Sequence, residues 1–128
     1  MKNKQQQGKR IWAFAAGHIP LHSTGTEPAF TSHDKVAILN TGDKDAQVAL
    51  VVFYADGDPV GDYTVTVKRK RIRKIRFNDL IDPLPIPLDT PFGFLIVSDV
   101  DIIVQFSRLN TGASALSSFC VTAFPNSQ

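Results

Sequence analysis

The densest chemistry in the 128-residue sequence is a run of positive charge: Lys68, Arg69, Lys70, Arg71, Arg73, Lys74 and Arg76 fill seven of nine consecutive positions. Cationic side chains at that density suit a row of phosphates, the sequence-independent part of nucleic-acid binding. Lys68, Arg69, Lys70, Arg71 and Arg73 are therefore a candidate polyanion or DNA site. Aromatic platforms for stacked bases are missing inside the run, since only Phe77 follows it, so sequence-specific reading of a single strand is poorly supported. The competing reading is a solvated hairpin whose positive edge deters strand-to-strand association or faces acidic residues of a partner chain. The formal net charge of +2 conceals this polarity, because outside the run seven basic residues stand against twelve acidic ones.

Two further groups could do chemistry. His18 and His22 are four apart, the spacing of two metal ligands on one helical face, but Pro20 between them breaks such a helix. They belong to a loop, and His33 is the only other imidazole. Hydrogen-bonded loop histidines are favoured over metal ligands, and no metal site is assigned. Arg108 shares strand parity with Ile102, Val104 and Phe106, so an apolar row ends in a guanidinium. Such a group pairs with a buried carboxylate or points into a pocket for a hydroxyl-rich or anionic ligand. Trp12 and Phe14 lead similarly toward the His18 loop. A tryptophan at the end of a sandwich can stack on a sugar ring, although a core tryptophan is the commoner case. No phosphate-binding glycine loop, GxSxG, HExxH or CxxC occurs, so neither an enzyme nor a cofactor is expected.

These residues need a scaffold, and the sequence supplies short β-type runs separated by turn residues. Strands are expected at 10–16, 35–39, 46–54, 62–67, 72–77, 92–97, 102–109 and 116–124. The run 48–54 is apolar on both parities, which requires cover on both faces, in the centre of a sheet or at an interface. Tyr63, Val65 and Val67 alternate with polar residues, the pattern of a strand with one wet face. Ile72 and Ile75 cannot share a face of a regular strand, so a bulge near Arg73 is expected. Ser98 to Asp101 should turn between two strands. Pro83, Pro85, Pro87 and Pro91 lack N–H groups and make 82–91 an extended connection without PxxP spacing. Helix is confined to about one turn at 111–115. The fold class is all-β, an antiparallel β-sandwich of about eight strands.

Length and composition agree. A chain of this length, 43% hydrophobic and 20% charged, suits one domain at 10–125 after a disordered segment at 1–9. No apolar run is long enough to span a bilayer with a helix, and the stretch Ile11 to Ala16 is too short for a signal-peptide core. With a single cysteine, Cys120, the expected location is cytoplasmic.

Five segments in order carry a family resemblance. They are Trp12-Ala13-Phe14-Ala15-Ala16-Gly17-His18-Ile19-Pro20, Ser32-His33-Asp34 with Ile38-Leu39-Asn40, Arg76-Phe77-Asn78-Asp79-Leu80, Pro85-Ile86-Pro87, and Val104-Gln105-Phe106-Ser107-Arg108-Leu109-Asn110. Together they resemble the sensory rhodopsin transducer family from about Arg10 to Ala123. The resemblance implies a soluble β-sandwich adaptor that assembles as a tetramer and docks on the cytoplasmic face of a membrane rhodopsin. It also implies two alternatives proposed for relatives, a small polar ligand such as a sugar or sugar acid, and DNA. Trp12, His33, Arg76, Asn78, Asp79 and Arg108 match the family pattern. Ala16, His18, Phe106 and Asn110 replace an acidic residue, an aromatic, a histidine and an aspartate. The implied ligand set is Trp12, His18, His33, Arg76, Asn78, Asp79, Arg108 and Asn110.

Overall fold

In the computed structural model, which describes residues 7–19, 33–110, 117–122 and 124–125, every regular element is a strand apart from one short 3-10 turn. The strands are β1 (Lys9–Gly17), β2 (His33–Asn40), β3 (Ala46–Tyr54), β4 (Val60–Val67), β5 (Arg71–Arg76), β6 (Phe92–Asn110), β7 (Ser117–Thr122) and β8 (Phe124–Pro125), with the 3-10 turn at Phe77–Asp79. All pairings are antiparallel. The expected all-β antiparallel fold is the observed one. The expected helical turn at 111–115 and the segments 1–6 and 20–32 lie outside the described residues.

One strand organises the rest. The first part of β6 pairs with β3 and β1, giving the order β4-β3-β6-β1-β8, and its second part pairs with β2 and β7, with β5 beyond β2. A single sheet thus curls over on itself, and its two halves face each other across the core. The sequence reading placed a turn at Ser98 to Asp101 and two strands around it. Instead the 19-residue β6 runs through that point and bends. Ser98 is the last β6 partner of β3, opposite Val48, and Ile103 meets Leu39 of β2. The polar residues serve the bend: Ser98 Oγ accepts the Val100 N–H at 3.2 Å, and Asp99 Oδ1 accepts the Gln47 N–H at 2.8 Å.

The core follows the strand alternation. Val36 and Ile38 of β2, Val48, Leu50 and Val52 of β3, Tyr63 and Val67 of β4, and Ile102, Val104 and Phe106 of β6 are all buried. Aromatic rings lock the two halves together: Phe14 stacks on Phe106 at 3.9 Å between centroids, and Phe94 lies 6.0 Å from Phe106.

Two expectations need correction. No bulge interrupts β5, which pairs in regular register with β2 from Arg71 opposite Asn40 to Arg76 opposite Lys35. Ile75 is buried and Ile72 is 57% exposed, so the odd spacing reflects one apolar side chain left on the wet face. β3 is central, between β4 and β6, yet its second face has no cover among the described residues: Val51 is half-buried and Phe53 is 43% exposed.

Candidate functional site

The curled sheet has two poles. At the bend pole lie the bend of β6, Trp12, the β2–β3 turn and the basic connection from β4 to β5, which is not the expected hairpin because β4 pairs with β3 and β5 with β2. The open pole holds the start of β6 at Phe92, its far end at Arg108, the end of β1 and the proline-rich segment. Six residues of extended strand, roughly 20 Å, separate Ile102 at the bend from Arg108.

Trp12 belongs to the bend pole. It is 5% exposed, and its indole N–H donates to the carbonyls of Lys9 at 3.0 Å and Ile102 at 3.1 Å. Both bonds are satisfied by backbone, so this tryptophan supports the bend, and its ring is not brought together with Arg108. The reason is the continuous β6: with no turn at 98–101, the residue that meets Trp12 is the one at the bend.

At the open pole the polar groups converge on Asp34. Its side chain is fully buried, and Oδ2 accepts the His18 backbone N–H at 2.6 Å. Such a short bond to a charged acceptor is of the stronger kind. The His18 ring Nε2 lies 3.2 Å from Asp89 Oδ1, and the Asp89 N–H donates to the Ile19 carbonyl at 2.6 Å. The end of β1 is thereby clamped between β2 and the proline-rich segment. Arg108 stands opposite Asp34 in the β2–β6 ladder, His33 opposite Leu109, and Asn110 opposite Ser117 on β7. For these three the ladder position is what is described, and their side chains lie outside the described set.

Arg76, Asn78 and Asp79 reach the same pole from β5. Arg76 ends that strand opposite Lys35, and the 3-10 turn that follows is anchored by Phe77, fully buried against Phe92 and Phe94 with centroids at 5.4 and 4.7 Å. The anchor holds Arg76 and Asn78 half-buried, with Arg76 Nε and Asn78 Oδ1 themselves buried, and leaves Asp79 exposed. Hydrogen bonds join His18, Asp34 and Asp89, an imidazole with two carboxylates, whereas Arg76 pairs with Lys35 on the sheet face opposite the inward Val36–Ile75 pair. His22 falls outside the described residues. Asp34 and Asp89 were missed by sequence reasoning. The signal for Asp34 lay in the inward row of β2, where Asp34 and Asn40 bracket Val36 and Ile38.

The basic run from Lys68 into β5 is exposed at the opposite pole and already engages its own chain. Lys70 Nζ lies 3.0 Å from Asp43 Oδ1, the Arg69 N–H donates to Asp45 Oδ1 at 2.9 Å, and Arg73 Nη1 donates to the Thr66 carbonyl at 2.9 Å. Arg71 Nη1 donates to the Lys70 carbonyl at 3.0 Å. Surface ion pairs of this kind contribute little to stability. They do lower the charge that the strip presents to a polyanion.

Comparison with known proteins adds the following. A family model described as the Anabaena sensory rhodopsin transducer matches residues 7–125. Among solved structures, the Anabaena sensory rhodopsin transducer is 50% identical with a TM-score of 0.73, over 79% of this chain and 97% of its own. A crystal structure of a Thermotoga maritima protein is 28% identical with a TM-score of 0.78, over 93% of this chain and 96% of its own. No curated protein matches.

Proposed function

The chain belongs to the Anabaena sensory rhodopsin transducer family, and on that premise we propose that it is a non-enzymatic signalling adaptor. In this reading it works in the cytoplasm as a homo-oligomer, a tetramer on the family pattern, and docks on a membrane photoreceptor of the sensory rhodopsin kind. The observation that supports protein contacts is the outer face of the β3–β6–β1 region. There the ladder rows Ala49–Val97–Ile11 and Val51–Leu95–Ala13 run across three strands, with Phe53 and Val97 43% and 38% exposed. An aliphatic sheet face without cover among the described residues supports an interaction surface. The test is sedimentation velocity of the wild type and of Val51→Lys, beside flotation with proteoliposomes that contain or lack a microbial sensory rhodopsin. Oligomers that Val51→Lys dissociates, with flotation only when rhodopsin is present, are expected. A wild type that stays monomeric at all concentrations removes the assembly, and equal flotation with empty vesicles removes the docking.

A second reading has an observation of its own. A fully buried carboxylate, Asp34, sits opposite Arg108 in the ladder at the open pole, which supports a small polar ligand at that pole held by His18, His33, Arg76, Asn78, Asp79, Arg108 and Asn110. Thermal shifts with sugars, sugar acids and phosphates, lost in Arg108→Ala, are its expected signature. Ligand occupancy and receptor docking are compatible, provided the ligand binds two conformations unequally.

A further inference from the structure

A cavity of about 770 Å³ opens between the β3–β4 turn and the proline-rich segment, formed by Tyr54, Asp56 and Val60 on one side and Leu84, Pro85 and Pro87 among others on the opposite side. That volume falls in the range of small-molecule sites. Its walls are held in place from outside the cavity. The buried Tyr63 hydroxyl donates to the Leu84 carbonyl, and the Asp89 N–H to the Ile19 carbonyl secures the far end of the segment. Prolines fix the backbone of that wall and contribute no N–H, so it presents carbon surface and carbonyl oxygens in a preset shape.

Charge decides what such a site accepts. Among the described residues the lining holds one carboxylate, Asp56, and no lysine, arginine or histidine. Asp58 adds a second negative charge to the same turn. The half-buried Tyr54 contributes a neutral aromatic ring to the same lining. Anions are disfavoured by the carboxylate, which lies exposed at the rim where a cation can reach it. A cation carried on an apolar or aromatic body answers all three features: ammonium on Asp56, cation–π contact with Tyr54, and ring or chain against the prolines. We propose that this proline-walled cavity binds a small amphipathic organic cation of the arylalkylamine class, at a site whose lining shares no residue with the His18, Asp34 and Asp89 cluster.

The experiment titrates the full chain with tryptamine and with indole-3-propionate, which share one aromatic body and carry opposite charges, and follows amide and methyl NMR resonances. Tryptamine is expected to shift Ala55, Val60 and Leu84 resonances saturably, at least tenfold more tightly than indole-3-propionate. Asp56→Asn, a change in an exposed turn, should weaken tryptamine about fivefold or more and leave indole-3-propionate no weaker. Equal affinity for the two probes, no saturable shift with either, or undiminished tryptamine binding in Asp56→Asn overturns the proposal. So does a shift of the same resonances on raising the protein concentration alone, which assigns the cavity to a second copy of the chain.

Discussion

Replacing Tyr63 by Phe removes one hydroxyl from the joint between β4 and the proline-rich segment and tests whether that joint holds. The ring is 2% exposed and opposite Leu50, so it stays in place, and what is lost is the hydrogen bond to the Leu84 carbonyl. A neutral hydrogen bond contributes about 0.5–1.5 kcal/mol net, and Leu84 lies at the surface where water can replace the donor, so about 1 kcal/mol is expected. For a chain of this size that lowers Tm by roughly 3–5 °C. The pH dependence makes the test sharper. Burial, and to a lesser degree neighbouring Tyr54, raises the Tyr63 phenol above its ordinary value. The folded chain thus keeps a proton that the unfolded chain releases near pH 10, roughly the free tyrosine value. This contribution to stability is complete below about pH 10 and declines as the pH climbs toward the folded value. Urea unfolding followed by Trp12 fluorescence should show wild type above Tyr63→Phe at pH 8, and the gap should narrow above about pH 10. A variant as stable as wild type at pH 8, or a gap constant through the alkaline range, refutes the reasoning.

Two other substitutions probe the open pole. Asp34→Ala strands the His18 N–H and should cost about 2–3 kcal/mol, whereas Asp89→Ala removes a pair whose carboxylate is 66% exposed and should cost less than about 1 kcal/mol. Thermal unfolding of both variants checks the order, and an equal or reversed cost contradicts the clamp. A methyl group on Gly17 would stand 2.3 Å from the ring of Phe92, itself 3% exposed, so Gly17→Ala should destabilise by about 1–3 kcal/mol in denaturant unfolding. A neutral result means the aromatic cluster yields more freely than its packing implies.

Strand alternation is written in the chain because neighbouring side chains of an extended backbone point to opposite faces wherever the strand sits. That local rule made the inward rows Tyr63–Val65–Val67 and Ile102–Val104–Phe106 legible, and the bounds of β3 at 46–54. The same rule misled at Ser98 to Asp101, where polar residues that mark a turn in isolation serve the bend of one long strand. It misled again at Ile72, which it paired with a bulge. Whether a polar stretch turns or bends depends on partners distant in sequence, here Gln47 of β3 and Leu39 of β2, and no local pattern encodes them.

By itself the sequence determined an all-β chain, the faces of its strands and the membership of its polar motifs in one family pattern. Tertiary structure alone decided which motifs meet. By carrying β6 unbroken from one half of the sheet to the other, it sent Trp12 to the bend and gathered His18, Asp34 and Asp89 at the far end. The physical reason is range: facing alternates over two residues, whereas the path of a sheet is set by hydrogen bonds between segments tens of residues apart.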